Sequence, residues 1–144
     1  MTAFVLDASV TAAWLLPDAA SEHTRRLYTL IRRDEVEPQA PNLWQWECSN
    51  ILSTGVHSGR IPAASVEGLW GVLEAIRHRV ELHDLAPAQH KAVLDVALDT
   101  GLPTYDAAYL WLARSLRLPL VTFDAAQAAA AKRSGVQLLD LSTL

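Results

Sequence analysis

Short apolar runs alternate with longer amphipathic segments along the chain of 144 residues. The first run, residues 3–6, has the length of a buried strand, and the helical spacing of Val10, Trp14 and Leu15 follows it. Four later segments are also predicted strands: residues 36–40, 80–83, 118–123 and 136–139. Strands that alternate with helices are typical of a parallel sheet covered on both faces. The pattern therefore predicts an α/β fold with a central, mainly parallel sheet of four to five strands.

Proline and glycine mark the limits of the predicted helices. After the first helix, which ends near Pro17, helical spacing predicts six more: residues 19–33, 41–56, 62–77, 87–100, 104–116 and 125–131. Three of these begin with a proline, which suits the first helical position. The turn His57-Ser58-Gly59-Arg60 separates two of them and predicts a helical hairpin. No linker or repeat divides the chain, so residues 1–144 are predicted to form a single domain.

Four acidic residues occupy positions from which an α/β sheet delivers side chains to one edge. Asp7 follows the first strand and opens the first helix, and Asp124 stands in the same way before the alanine-rich last helix. Functional sites of open α/β sheets form beyond the carboxyl ends of the strands. Glu47 lies in about the second turn of its predicted helix, and Asp106 lies in the first turn of another. We expect these four side chains to converge.

Converging carboxylates would form a site for a hard divalent cation. Mg²⁺ takes oxygen ligands and keeps several waters, so one or two directly bound carboxylates are enough. Two ions about 3.5–4 Å apart can clamp the attacking and leaving oxygens of a phosphodiester. Without metal, the like charges raise the pKa of at least one carboxyl group. A simpler interpretation also fits, because aspartates at strand ends and helix starts often serve only as helix caps.

The net charge of the chain bears on the kind of partner that it binds. A formal net charge of −4 is unusual for a nucleic-acid-binding protein, but setting the four acids aside leaves 12 acidic and 12 basic residues. A local anionic pocket attracts divalent cations, and bound cations make the local electrostatic potential positive, which favours phosphates.

The single cysteine, Cys48, excludes an internal disulfide and a thiolate metal cluster. Neither a secretory signal nor a membrane span fits the start of the chain, so a cytoplasmic protein is expected.

Four segments resemble the ordered motifs of the PIN domain family. They are Asp7-Ala8-Ser9, Trp46-Glu47-Cys48-Ser49-Asn50-Ile51-Leu52, Tyr105-Asp106-Ala107-Ala108-Tyr109-Leu110 and Val121-Thr122-Phe123-Asp124. No single motif is specific for the family, but the four motifs together, in the same order and spread over nearly the whole chain, are specific. More narrowly, the chain resembles the VapC-type toxins of bacterial and archaeal toxin–antitoxin pairs.

The resemblance implies a three-layer α/β/α sandwich and a Mg²⁺- or Mn²⁺-dependent endoribonuclease. The implied reaction is in-line attack of a metal-activated water on an RNA phosphodiester, which leaves a 5′-phosphate and a 3′-hydroxyl. The implied partners are a cognate antitoxin, an RNA substrate and a second copy of the chain in a homodimer. The catalytic and metal-binding acids that it implies are Asp7, Glu47, Asp106 and Asp124.

Accessory polar positions of the family match Ser9, Asn50 and Thr122. Ser9 also has the spacing of a helix cap, and Thr122 is a β-branched residue of the kind that strands favour. Asn50 lies about one helical turn after Glu47 and is predicted to orient that carboxylate by a hydrogen bond. The alanine run after Asp124 departs from relatives that place another polar or acidic group there, so the number of ions stays open.

The tryptophans divide into two groups. Trp14, Trp70 and Trp111 have core spacing on their helices and are predicted to be structural. Trp44 and Trp46 could face solvent, a partner or an antitoxin. Apolar side chains around these two and residues 69–72 predict a protein-binding surface, which the resemblance assigns to dimerisation or to the antitoxin.

Two other functions remain as alternatives. A phosphotransfer or phosphatase-like α/β domain also places aspartates at strand ends, but a haloacid-dehalogenase-type phosphatase needs a second acid where this chain has Ser9. The six glycines do not supply the spacing of a phosphate-binding loop. The second alternative is a catalytically degenerate PIN-like module that only binds a protein partner, with its acids serving as caps.

Overall fold

A four-stranded parallel sheet forms the centre of the structure, a computed structural model that describes residues 1–144. Its strands are β1 (Thr2–Leu6), β2 (Val36–Pro41), β3 (Glu81–His83) and β4 (Leu120–Val121). They lie in the order β3-β2-β1-β4, and every pairing is parallel. The predicted α/β class and parallel sheet are confirmed.

Two predicted strands are at least three residues shorter than expected. β4 contains only two residues, because Thr122 leaves the ladder and its hydroxyl accepts a hydrogen bond from the Asp124 amide. The segment 136–139 contributes a single bridge, in which Leu138 pairs with Leu120. The sheet therefore has four strands and one isolated bridge beside β4.

Seven α-helices pack around the sheet in two groups, α1 to α4 and α5 to α7. This arrangement gives the three-layer α/β/α sandwich. Two 3₁₀ turns, Ala63–Ser65 and Leu141–Thr143, complete the chain. The helices are α1 (Ala8–Leu15), α2 (Glu22–Arg32), α3 (Leu43–His57), α4 (Val66–Arg77), α5 (Pro87–Thr100), α6 (Thr104–Leu116) and α7 (Ala125–Arg133).

Of the three helices predicted to begin with a proline, only one does. Pro87 is the first residue of α5. Pro41 instead ends β2, where it pairs with His83 of β3. Pro62 precedes a 3₁₀ turn, so α4 begins four residues later than expected. The predicted hairpin of α3 and α4 is present, and its turn is tight enough that a side chain at Gly55 would overlap Ile61.

One cluster of 33 buried residues forms the hydrophobic core. Phe4, Val5 and Leu6 of β1 are fully buried, as expected of a central strand covered on both faces. Trp44 is also fully buried, and its Nε1 donates to the Thr11 hydroxyl at 3.1 Å. The core prediction was wrong for Trp70, which is 43% exposed on α4.

None of the helices combines the length and apolar character that crossing a bilayer requires.

Candidate active site

The carboxyl ends of β1 and β4 bring two of the four acids to one edge of the sheet. Leu6 and Val121 are paired at the ends of these neighbouring strands. Asp7 follows Leu6 directly and caps α1, and its amide donates to the Val121 carbonyl at 3.1 Å. Asp124 lies three residues beyond Val121 and caps α7 by accepting from the Gln127 amide at 2.8 Å. Both acids therefore occupy the positions that the sequence predicted.

Asp7 is the centre of a small hydrogen-bond network. Its Oδ2 accepts from the hydroxyls of Ser9 and Thr122, the latter at 2.9 Å, and from the Ser9 amide at 3.3 Å. The Ser9 hydroxyl in turn accepts from the Phe123 amide at 2.9 Å. Asp7 is 5% exposed, so these donors offset part of the cost of burying its carboxyl group. Ser9 and Thr122 thus orient Asp7 and tie β1 to the loop after β4.

Glu47 reaches the same edge from α3. It is the fifth residue of that helix, in its second turn as predicted. Its Oε1 accepts a hydrogen bond of 2.6 Å from the hydroxyl of Tyr109, a fully buried residue of α6. The hydrogen bond predicted between Asn50 and Glu47 is not among those of the structure, where Asn50 is exposed and Tyr109 holds the carboxylate.

Asp106 and Asp124 are connected through Gln127, a fully buried residue of α7. Asp106 lies in the first turn of α6. The Gln127 side-chain amide donates to the Asp106 backbone carbonyl at 3.0 Å, while its backbone amide donates to the Asp124 carboxylate. The Oε1 atom of Gln127 is buried and has no hydrogen-bond partner. One residue therefore couples the segments that carry two of the acids.

The four site acids influence one another electrostatically in pairs. Burial is the main factor that raises the pKa of Asp7, and the negative charge of Asp124 adds to it against the hydrogen bonds from Ser9 and Thr122. Burial also raises the pKa of Glu47, with further contributions from Asp7 and Asp106. The pKa of Asp106 rises through burial and through the charges of Asp7 and Asp124. Every acid thus interacts with at least one other.

The donor set suits a hard cation, since all four side chains and the nearby hydroxyls offer oxygen atoms. No three His, Cys, Asp or Glu side chains lie close enough together to ligate one ion between them. Mg²⁺ often binds proteins through one or two carboxylates and completes its shell with water. The residues present fit this water-rich mode of binding, whereas a closed cage of four carboxylates does not match the geometry.

A sequence profile of the PIN domain matches residues 4–133. The chain belongs to the PIN domain family. PIN domains are commonly nucleases and typically use divalent metal ions. The resemblance of the four motifs to this family is therefore confirmed at the level of the domain.

Two solved structures share the fold of this PIN domain. PAE2754 from Pyrobaculum aerophilum is 27% identical, with a TM-score of 0.70, and the match covers 99% of this chain and 85% of that one. FitAcB from Neisseria gonorrhoeae is 16% identical, with a TM-score of 0.58, and the match covers 98% and 99% of the two chains. None of the curated proteins compared with the chain is similar enough in sequence to count as a match.

A cleft of about 760 Å³ opens beside the acids of this PIN domain. Ser9 and Glu47 line it together with the exposed side chains of Trp46, Asn50 and Tyr105. Three of the four motifs thus contribute to one concave surface. A cleft of this size next to titratable groups is the usual form of a substrate site.

Sequence reasoning did not identify Tyr109 and Gln127 as parts of the site. Tyr109 lies three residues after Asp106, so both occupy one face of α6, and this spacing was the available signal. Gln127 gave a weaker signal, as the only polar residue among the alanines that begin α7. Cys48 is buried on α3, and burial raises the pKa of its thiol, so it is not a reactive group.

Proposed function

We propose that this PIN domain is a metal-dependent endoribonuclease that acts as the toxin of a toxin–antitoxin pair. The observation that supports this function best is the common edge formed by Asp7, Glu47, Asp106 and Asp124. Burial raises the pKa values of Asp7, Glu47 and Asp106, and negative charges from others of the four acids add to each of these shifts, although no two of the acids are neighbours in the sequence. A fold that gathers like charges without a protein cation leaves an external cation as the natural partner.

Mg²⁺ is the proposed ion, with Mn²⁺ able to replace it, and the four acids are its proposed binding residues. A bound ion would activate the attacking water and neutralise charge on the scissile phosphate. One or two of these carboxylates would hold the ion directly, and the others would interact with it through its bound waters, since no three of them lie close enough together to ligate one ion. No histidine is needed as a general base, and none of the five histidines lies among the residues that line the cleft.

The protein's own residues orient the reacting groups. Ser9 and Thr122 hold the Asp7 carboxylate in one direction, and Tyr109 does the same for Glu47. Gln127 maintains the separation between the Asp106 and Asp124 segments. This support matters because catalytic groups must stay close to their productive geometry to be effective. The proposed reaction hydrolyses an RNA phosphodiester and leaves a 5′-phosphate and a 3′-hydroxyl.

The toxin role, the antitoxin and a homodimer are proposed from the resemblance to VapC-type toxins. A second groove, of about 560 Å³, offers a surface for such a protein partner between α3 and α4. Trp46 and Trp70 line it with Leu73, and Glu74 and Arg77 add a polar rim. We further propose that the protein acts in the cytoplasm, where its RNA substrates occur, and that residues 1–144 form a single domain.

The function is tested by incubating purified, antitoxin-free protein with cellular RNA and Mg²⁺ or Mn²⁺. We expect new RNA ends with 5′-phosphates, no cleavage with a chelator, and no cleavage by Asp7→Asn. Asparagine is also a good helix cap, so this variant should keep the fold. Asp99→Asn, which changes an exposed acid of α5, is the matched control and should cleave normally. Wild-type protein that cuts no RNA with either metal would exclude the enzymatic function.

A second candidate is a catalytically degenerate PIN-like module that binds only a protein partner. The observation in its favour is that no three carboxylates stand within ligating distance of one point. Expression in cells separates the two candidates. A ribonuclease toxin inhibits growth, and Asp7→Asn relieves the inhibition, whereas a binding module gives the same growth with either protein.

A further inference from the structure

Three of the four site acids are directly preceded by an exposed aromatic residue. Trp46 precedes Glu47, Tyr105 precedes Asp106 and Phe123 precedes Asp124. Their exposed fractions are 79%, 61% and 54%, so most of each ring contacts water. Keeping large aromatic rings in water forgoes the stabilisation that burial would provide. Because each ring is exposed and adjacent in sequence to a site acid, these three residues are candidates for contact with a ligand.

Two of these rings lie in the cleft that contains site residues. Trp46 and Tyr105 both line it, together with Ser9, Glu47 and the exposed Asn50. The buried aromatic residues nearby have structural roles instead, since Trp44 lies in the core and Tyr109 holds Glu47. The cleft therefore combines two exposed aromatic residues with an amide that can bond to a base edge.

The charges of the cleft favour a base over a phosphate as the group bound there. No lysine or arginine is among its nine lining residues, which include the acidic residue Glu47. The RNA backbone thus finds no protein cation in this cleft. Unpaired bases stack on aromatic side chains without requiring charge, whatever their sequence.

We propose that Trp46 and Tyr105 form a nucleobase-stacking subsite for an unpaired base of single-stranded RNA beside the scissile phosphodiester. The proposal rests on the ribonuclease function and specifies its substrate as RNA with unstacked bases. Duplex RNA should bind poorly, because its bases are already stacked and paired. Trp46 also lines the second groove, with Trp70, so a protein partner on that groove is the competing occupant.

The test compares a fluorescent single-stranded oligoribonucleotide with an abasic oligomer of the same length. Binding is measured by anisotropy with Mg²⁺ in proteins that all carry Asp7→Asn, so that the RNA stays intact. We expect Trp46→Ala and Tyr105→Ala each to weaken binding of the ordinary oligonucleotide by about five- to 150-fold. Trp46→Phe should retain most of the affinity, because it keeps a ring. The abasic oligomer should bind equally to all of these proteins.

Trp70→Ala is the matched control, since it removes another exposed tryptophan that does not line the cleft. It should leave RNA binding unchanged. In proteins with Asp7 intact, Trp46→Ala should raise KM for single-stranded RNA and leave kcat nearly unchanged. All three alanine variants change exposed side chains, and circular dichroism should show native folding.

Three results would overturn the subsite: equal losses on the ordinary and abasic oligomers, no loss in either cleft variant, or equal losses from Trp46→Ala and Trp70→Ala. The last result, with a change in molar mass by light scattering, would show a protein-docking face. These outcomes differ from failure of the proposed function, in which protein with Asp7 intact cuts no RNA at all.

Discussion

Acidic residues at the sheet edge and acidic residues on the outer helices have opposite environments. On the surface, Glu74 pairs with Arg77 at 2.6 Å and Asp18 pairs with Arg60 at 2.8 Å, and these hydrogen bonds lower the pKa of both acids. At the edge, burial and mutual repulsion raise the pKa values of Asp7, Glu47 and Asp106. None of the five salt bridges includes a site acid. The surface acids Glu74 and Asp18 thus have basic partners from the protein itself. The site acids have none, and this is where a cation is proposed to bind.

The largest expected effect comes from removing the central charge at the edge. Asp7→Asn should lose most of the increase in Tm that millimolar Mn²⁺ gives the wild type, and its RNA cleavage should fall at least about a hundred-fold. Glu74→Gln, a matched change in a surface acid, should alter neither quantity. Thermal unfolding with and without metal checks both proteins. An equal metal response in Asp7→Asn and the wild type would contradict the proposed role of Asp7.

Tyr109→Phe tests the hydrogen bond that holds Glu47. The change removes only a hydroxyl from a fully buried ring but leaves a half-buried carboxylate without its donor. Hydrogen bonds to charged groups contribute about 1.5–3 kcal/mol, so stability should fall by about that amount near neutral pH. The loss should shrink at low pH, where Glu47 is protonated. Urea unfolding at several pH values measures this, and a pH-independent loss would mean that only packing had changed.

Gln127→Leu separates the support of the site from the stability of the fold. Leucine removes the unpaired Oε1, so the free energy of unfolding should stay the same or rise slightly. The connection to the Asp106 carbonyl is lost, and the affinity for Mn²⁺ should fall about ten-fold. Calorimetric titration with Mn²⁺ and urea unfolding give the two values. Unchanged metal affinity would show that Gln127 does not position the site.

Asp106→Asn should stabilise the metal-free protein, because it removes a charge that the site repels. We expect Tm to rise by roughly 1–4 °C without metal. Mn²⁺ should then stabilise the variant less than the wild type. Asp95→Asn is the control for a paired surface acid and should leave Tm unchanged or slightly lower, since it breaks the ion pair with Lys91. A lower Tm for Asp106→Asn would contradict the repulsion.

The smallest effect is on the pH dependence of stability. Carboxyl groups with raised pKa values keep their protons in the folded state after the unfolded chain has released them. For Asp106 this pH window runs from the ordinary pKa of 3.8 up to the raised pKa of the folded state. Within it the folded protein binds more protons than the unfolded chain, so the free energy of unfolding falls as the pH rises. Asp106→Asn should flatten that slope in metal-free protein. The same slope in both proteins would show that Asp106 does not titrate abnormally.

Local sequence was sufficient for the elements and for the positions of two acids. An apolar run followed by an aspartate places Asp7 and Asp124 between a strand and a helix, because strand length and capping depend on adjacent residues. The parallel sheet followed from the alternation of strands and helices. Pro41 was placed wrongly since its neighbours along the chain do not reveal that β3 pairs with it.

Only the tertiary structure decided which polar groups support the acids and which aromatic rings stay in water. Glu47 and Tyr109 are 62 residues apart, and Asp106 and Gln127 are 21 apart, so no local pattern joins them. Trp44 and Trp46 have nearly the same sequence context, yet one is in the core and the other is exposed. Helical periodicity shows that such residues face different directions, but the packing of α3 against the other elements determines which direction is the interior.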